Sequence, residues 1–431
     1  MGKQTKIGTV PSGWIMKKLK DVFYINEFSL PSNTPADYQF KYITIEQVST
    51  NHIDYGNCET FRFSDAPGRA RRIVRDNDIL ISGVRPNLKS FAIFNNPDAG
   101  SWICSTGFFV LTAKNEDDNL ISYYELLSEI GERQFYSYVA GSNYPAIGDS
   151  DIRNIRLVLP SSVKEKTAIA NILLKVDEAI AAVQGSIAAA ERLKKCLMQN
   201  LLTGRMKPDG TLRKEDEFYM DEKFGKVPKG WSVKKVKDLF YMNQDTLSNK
   251  TDSNYKFRYI TIEAVSTESI DYKSCPEYSF KDSPGRARRI IKDNDILISG
   301  VRPNLKAFAI YTKPDNNEWI CSTGFHVLTA KDEVCPQFFF YQILSHIGAS
   351  QFHSWVAGSN YPAIGDSDMR KMQLYAPPYD EQVIINQRIE CISRIQQDKQ
   401  TKIAILERLK KSLMQNLLTG RVRVNNKNKD I

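Results

Sequence analysis

The sequence predicts an α+β chain in which two repeated α/β domains are separated by two long helices that form an antiparallel coiled coil. Three observations carry this. The halves stay in register at a constant offset of about 217 residues, from Trp14 against Trp231 through Gly83 against Gly300 to Asp151 against Asp368, a period of whole domains rather than of solenoid units. Each half closes in a stretch of sustained heptad spacing. Between these stretches, short β-branched and aromatic runs alternate with glycine- and proline-bearing turns, the pattern of strands.

In the first helical stretch, from Val163 to Leu202, Ile169, Val176, Val183, Ala190 and Leu197 alternate with Leu173, Ile180, Ile187, Lys194 and Leu201 as the a and d positions of a seam. In the second, Ile385, Ile392, Lys399, Leu406 and Leu413 alternate with Ile389, Gln396, Ile403, Lys410 and Leu417. That seam turns polar near its middle, at Gln396 and Lys399, while Ile180, Val183 and Ile187 are apolar. The expected arrangement is therefore an antiparallel pairing of the two within one chain, leaving other faces free for partners. Each stretch would span roughly 55 to 60 Å at 1.5 Å per residue. Gly204 and Gly420 stand just past the last apolar residues, where a C′ glycine ends a helix.

Composition sets bounds. The 431 residues suffice for two or three domains. Lys and Arg outnumber Asp and Glu by 59 to 50, a formal charge of +9, which favours a polyanionic partner. No apolar run reaches the length of a membrane span and residues 1 to 20 lack a secretory core, so no membrane association and a cytoplasmic location are expected. The seven cysteines lack a C-x-x-C pair and the four histidines lack metal-ligand spacing, so no metal site is indicated.

Each domain opens with Val-Pro-x-Gly-Trp (Val10 to Trp14, Val227 to Trp231) and a short basic segment, Lys17 to Phe23 and Lys234 to Phe240. Tyr42 to Glu46 and Tyr259 to Glu263 read as strands. The basic loops Pro67 to Arg72 and Pro284 to Arg289 follow. Ile79-Leu80-Ile81 is a buried strand that passes through Ser82 to Lys89 into the strand Phe91 to Phe94, and the second half repeats this at Ser299 to Lys306 and Phe308 to Tyr311. After the strand Phe108 to Thr112, helical spacing runs from Leu120 to Val139. A loop identical in both halves, Ala140 to Asp151 and Ala357 to Asp368, leads to a strand, Ile152 to Leu159. Lys207 to Lys226 reads as a charged linker and the end past Arg423 as a frayed tail.

No catalytic motif is found: there is no G-x-x-x-x-G-K-[ST] loop, no G-x-S-x-G elbow and no H-E-x-x-H helix. Ala376-Pro377-Pro378-Tyr379 has alanine where an adenine methyltransferase would carry an amide or carboxylate, and the acidic cluster Glu215 to Glu222 has no counterpart in the first half. The basic loops carry the binding chemistry. Arg69, Arg71, Arg72, Arg85, Asn87 and Lys89 offer guanidinium forks for phosphate or guanine and an amide for adenine. Asn143 and Tyr144 add a second amide and a stacking ring. Arg286, Arg288, Arg289, Arg302, Asn304, Lys306, Asn360 and Tyr361 recreate the set in the second half. The seam and linker have drifted between halves while these loops have not, which favours nucleic-acid contact.

The Val-Pro-x-Gly-Trp openings, the order of globular domain then long helix, and the closures Leu197-Met198-Gln199-Asn200-Leu201-Leu202-Thr203-Gly204-Arg205 and Leu413-Met414-Gln415-Asn416-Leu417-Leu418-Thr419-Gly420-Arg421 together resemble the specificity subunit of a type I restriction-modification system. The resemblance covers essentially the whole chain. It implies target-recognition domains at 1–160 and 206–378, spacer helices at 161–205 and 379–424 and a flexible tail at 425–431. It further implies double-stranded DNA as ligand, DNA adenine methyltransferase (modification) subunits that bring S-adenosylmethionine, and restriction/translocase subunits that bring ATP and Mg, with no catalysis or cofactor on this chain. Alternatives are a specificity subunit serving a fused cleavage-methylation enzyme and a sequence-independent coiled-coil adaptor. In most such subunits the two recognition domains differ; here they are nearly identical.

Overall fold

The structure is a computed structural model that describes residues 3–5, 8–139, 145–356 and 363–424. It divides into two compact units, Met1–Gly185 with Gln400–Ile431, and Ser186–Lys399. Each unit thus holds one α/β domain, the first part of one long helix and the last part of the other.

In the first unit an antiparallel sheet has the order Phe91–Ile93, Ile79–Ser82, Phe108–Ala113, Phe23–Ile25. A second sheet has the order Glu59–Arg62, Gln39–Ile43, Trp102–Ser105, Ala70–Ile73, with Trp102–Ser105 parallel to Gln39–Ile43. The unbroken apolar run Ile79-Leu80-Ile81 has a physical cause. Leu80 packs with Ile43, Trp102, Cys104 and Phe108, while Ile79 and Ile81 pack with Ile121, Tyr124 and Phe135 of the helices. A strand covered on both faces has no solvent side to make polar. The second unit repeats this: Leu297 packs with Trp319, Cys321 and Phe325, and Ile296 and Ile298 with Phe338 and Phe339.

Several sequence-predicted elements are corrected. The basic segment after Pro67 is not all loop: Ala70–Ile73 is a strand paired with Trp102–Ser105, its Ala70 wholly buried and its arginine stems half-covered. The single helix expected over Leu120 to Val139 is two, Asn119–Leu127 and Glu129–Val139. Ser128 is extended between them and its Oγ accepts from the N–H groups of Ile130 and Gly131, a side-chain cap that restarts the helix. A Cβ at Gly131 would collide with the Leu126 carbonyl, so the corner is closed to larger residues. The expected strand from Ile152 begins later, as Arg156–Pro160, because Asp149–Asn154 forms a helical turn in which the Asp151 carboxylate accepts the Gly148 N–H. The charged linker contains a hairpin, Phe218–Asp221 with Gly225–Pro228. Its equivalent at the chain start is Lys3–Thr5 with Gly8–Val10. The tail expected after Arg423 lies, from residue 425 on, outside the described residues.

The long helices run Val163–Leu201 and Tyr379–Leu417. Every predicted seam position is buried or half-buried, while most intervening positions are exposed. Within each unit the start of one helix lies against the end of the other, so the pairing is antiparallel. In the first unit Lys410 pairs with Asp177 at 2.5 Å, and Leu417 and Leu418 share a core with Ile169, Leu173 and Trp14. In the second, Lys399 donates to Ser186 Oγ at 2.7 Å, and Leu201 and Leu202 join Ile385, Ile389 and Trp231. Gly204 and Gly420 have φ of +69° and +64°, and a Cβ on either would strike Pro228 or Pro11 of the Val-Pro-x-Gly-Trp turns. Only glycine satisfies both the left-handed backbone and the close approach.

An arginine fastens each helix start. Arg213 pairs with Glu381 at 2.5 Å beside Trp231, whose Nε1 donates to the same carboxylate at 2.9 Å. Arg423 pairs with Glu165 at 2.6 Å and lies over Trp14. The carboxylates differ in what loss of the arginine leaves behind: Glu165 is 10% exposed and is bound by Nε and Nη2 of Arg423, whereas Glu381 is 18% exposed and keeps the bond from Trp231 Nε1. Arg423→Ala strands the more buried carboxylate and should cost about 2–4 kcal/mol, and Arg213→Ala, which leaves one donor in place, about 1–2 kcal/mol. Urea denaturation of the two variants checks the order.

The repeat also isolates one buried carboxyl group. Gln342 donates its Nε2 to Tyr375 O at 2.7 Å and accepts the Tyr375 N–H at 2.9 Å. The equivalent Glu125 accepts from the Val158 N–H at 3.4 Å and leaves Oε2 without a partner. Burial pushes its carboxyl up to about 8, so the folded state holds a proton that the unfolded chain releases near the ordinary carboxylate value. Stability conferred by that proton is full below about pH 4.5 and is lost as pH rises through about 8. Glu125→Gln should therefore stabilise the protein by roughly 2–4 kcal/mol at pH 9 and change little at pH 4.5. Thermal melts across this range test the sign.

Candidate nucleic-acid interface

Backbone hydrogen bonds gather the candidate loops at one end of each domain. The Gly83 N–H donates to Gly107 O at 2.8 Å, Ile147 N–H to Gly83 O at 3.0 Å and Thr106 N–H to Arg69 O at 2.8 Å. Val84 bridges Ala146, and Ser29 bridges Arg72. The second domain repeats the frame through Gly300 to Gly324, Ile364 to Gly300 and Thr323 to Arg286, at 2.8–2.9 Å. Segments far apart in sequence thus form one surface because the strands that carry them end together.

The turn between Ile79–Ser82 and Phe91–Ile93 stands at its centre. Arg85 and Lys89 both take left-handed backbone, φ +48° and +51°, and Arg302 and Lys306 repeat it at +48° and +50°. Non-glycine residues hold this conformation only where the surroundings fix it, and here they do. The Arg85 N–H donates to Pro145 O at 2.7 Å, Ser82 Oγ to Val84 O at 2.7 Å and Thr50 Oγ1 to Lys89 O at 2.7 Å. Lys89 Nζ reaches the helix end at Leu127 O (3.0 Å) and pairs with Glu132 at 2.9 Å. Lys306 Nζ makes the corresponding bond to Leu344 O at 2.9 Å. These lysines fasten the turn to the helices.

The remaining candidates divide by exposure. Arg69, Arg85, Arg286, Arg302 and Asn304 are exposed and Asn87 is half-buried. Arg71 lies over Phe63 and donates to Ala70 O, and Arg288 lies over Phe280 and donates to Ala287 O. Arg72 donates to Ser29 Oγ and Arg289 to Thr246 Oγ1, both at 3.3 Å, each with a buried Nε lacking a partner. Arg69, Arg85, Arg286, Arg302 and Asn304 face solvent, Asn87 keeps its Oδ1 buried without a partner, and the remaining arginines support the surface. Asn143, Tyr144, Asn360 and Tyr361 lie outside the described residues. Sequence reasoning passed over Leu88 and Leu305, which are 61% and 64% exposed at the tips of the turns. Their signal was an apolar residue between two polar ones in a turn repeated without change.

One buried substitution separates the two surfaces. Phe109 becomes His326, beneath the turn, where a Cβ on Gly300 would lie 2.9 Å from the ring Nε2. His326 Nε2 lies 3.1 Å from Ile364 O and Nδ1 3.0 Å from Asp366 Oδ1. A neutral ring that donates from Nε2 presents a lone pair at Nδ1, so the carboxylate approach is not a hydrogen bond until the ring is protonated. Asp149 binds Arg153 in the first domain, whereas Asp366 accepts from Asn243 Nδ2 at 3.1 Å in the second. Burial holds the His326 pKa below its ordinary value against the pull of Asp366. Stability is then full above about pH 6.5 and falls as pH drops through the lower folded value. His326→Phe should flatten that acid limb, which melts between pH 7.5 and 5 would reveal.

Among the described residues no group of histidine, cysteine or carboxylate side chains could hold a metal, and no helix is long and apolar enough to cross a membrane. The fold is duplicated: two like domains, each presenting arginine-bearing loops, with antiparallel segments of the long helices in each unit. The type I restriction modification DNA specificity domain matches residues 11–192 and 228–410, and the chain belongs to that family. It is thus a specificity subunit of a type I restriction-modification system, a family whose function is DNA recognition. The chain is 23% identical to the type I restriction enzyme MjaVIII specificity subunit of Methanocaldococcus jannaschii, over 83% of this chain and 81% of that one. It is 21% identical to the MjaIX specificity subunit of the same organism, over 98% and 96%. Its fold is similar to a type I restriction-modification system S subunit from M. genitalium, with TM-score 0.54, 13% identity and coverage of 94% and 96%.

Proposed function

We propose that each domain reads one half of a bipartite duplex target through the turns Arg85–Lys89 and Arg302–Lys306 and the arginine loops beside them. The observation that carries this is the repetition, in both domains, of an exposed arginine held on a rigid left-handed backbone amid convergent loops. A guanidinium fixed in this way suits the paired acceptors of a guanine edge or a phosphate. Arg69 and Arg286 are assigned to the DNA backbone and Arg85 and Arg302 to bases. Because one domain is duplicated and the helices pair antiparallel in each unit, the half-sites are inverted copies of each other and the target is an interrupted, near-palindromic sequence.

The chain itself performs no chemistry in this reading. Modification subunits, DNA adenine methyltransferases, dock on the helix faces outside the seam and supply S-adenosylmethionine, and restriction/translocase subunits supply ATP- and Mg-dependent cleavage. The helices set the gap. One heptad added to both preserves the seam and adds roughly 10 Å, about three base pairs, so a lengthened variant should methylate a target with a correspondingly longer gap. Retention of the original gap would remove the helices as its determinant.

Arg85→Ala or Arg302→Ala should weaken specific binding by about 1–3 kcal/mol and relax discrimination at one position of one half-site. Anisotropy titrations against single-base variants of the target distinguish this from phosphate contact, for which the loss is uniform across sequences and the salt slope falls.

A further inference from the structure

Leu88 and Leu305 have no folding reason to be where they are. A leucine more than three-fifths exposed gains little from burial, yet each sits at the tip of the same strained turn with the same backbone, ψ 56° and 58° at the entering arginine and 40° and 42° at the leaving lysine. The turn is fixed at both ends: Arg85 and Arg302 begin it, and the lysine ammonium groups bind the helix-end carbonyls of Leu127 and Leu344. Some exposed apolar side chains drift between domains, Ile15 facing Ser232 and Tyr136 facing His353, while Tyr24 and Tyr241 are kept as Leu88 and Leu305 are. A side chain on a rigid turn loses little entropy on contact, so it can report one methyl group.

We propose that Leu88 and Leu305 are specificity-determining residues, each reading a thymine 5-methyl group in the major groove beside the base contacted by Arg85 or Arg302. This rests on the DNA-recognition reading above. The neighbours choose the ligand: arginine and asparagine on the same turn match the major-groove edges of guanine and adenine, and the one apolar feature of that groove is the thymine methyl. Leucine supplies a matching apolar surface of the right size, and one methyl buried corresponds to roughly a four- to tenfold change in affinity.

The test is a thymine-to-deoxyuridine scan of the mapped target, which removes one methyl at a time and leaves base pairing intact, read by anisotropy with the full chain. The wild type should lose roughly four- to tenfold at one thymine in each half-site. Leu88→Ala should bind the thymine and uracil duplexes equally at the first-domain half-site and keep the loss at the other, Leu305→Ala should do the converse, and Leu88→Met should retain part of the discrimination. The proposal is overturned if every thymine tolerates replacement, if the alanine variants keep the full loss, or if the half-sites contain no thymine on either strand. Failure of the wild-type chain to distinguish target from scrambled duplex would instead overturn the DNA-recognition reading, and this assignment with it.

Discussion

The structure depends on how each long helix is held at its ends. A helix of 39 residues with a seam polar at its middle gains limited stability from that seam alone. The decisive contacts are at the termini. A glycine with left-handed backbone lets the helix end close on the proline of a Val-Pro-x-Gly-Trp turn, and an arginine beyond it grips the glutamate that starts the partner helix, over the tryptophan of that turn. Glycine, proline, tryptophan, glutamate and arginine recur together in both units because each satisfies a need of the others. The glutamate also sits where a negative charge complements the helix N-terminus.

The same logic explains what differs between the copies. In the first unit Asp118 pairs with the buried Lys166 and with Lys17. In the second these positions are Cys335 and Gln382, and the Cys335 N–H donates to Gln382 Oε1 at 2.9 Å. A buried ion pair has been exchanged for a neutral amide network that fastens the same helix start, which fits the modest net worth of buried ion pairs. Glu125 against Gln342 is a second exchange at a buried site: the amide makes two bonds to Tyr375, while the carboxyl, kept protonated by burial, leaves Oε2 without a partner. Phe109 against His326 lies beneath the candidate turn, and it rewires Asp366 while the turn's backbone is the same in both domains.

Much of this was legible in the sequence. Heptad spacing located both helices because their seams stay periodic even where polar, and the C′ glycines marked their ends. The repeat showed that there are two like domains. What escaped depended on contacts between distant segments. The break at Ser128 needs a side-chain cap that competes with continuous helix. The turn at Asp149–Asn154 is nucleated by Asp151 capping Gly148, and the strand Ala70–Ile73 exists because Trp102–Ser105 lies beside it. Of the site, residue types and loops were readable, but division of labour was not. Charge alone could not tell that Lys89 supports the turn while Arg85 faces solvent, nor that a leucine between them does the same.

Two like domains with antiparallel helix segments in each unit should recognise an inverted repeat. Single-molecule sequencing of genomic DNA from cells carrying the chain with its modification subunits reports every methylated adenine and hence the whole target. The expected result is two half-sites that are reverse complements, or nearly so, separated by a fixed gap and methylated on opposite strands. Two unrelated half-sites, or a target with both halves in the same orientation, would contradict it.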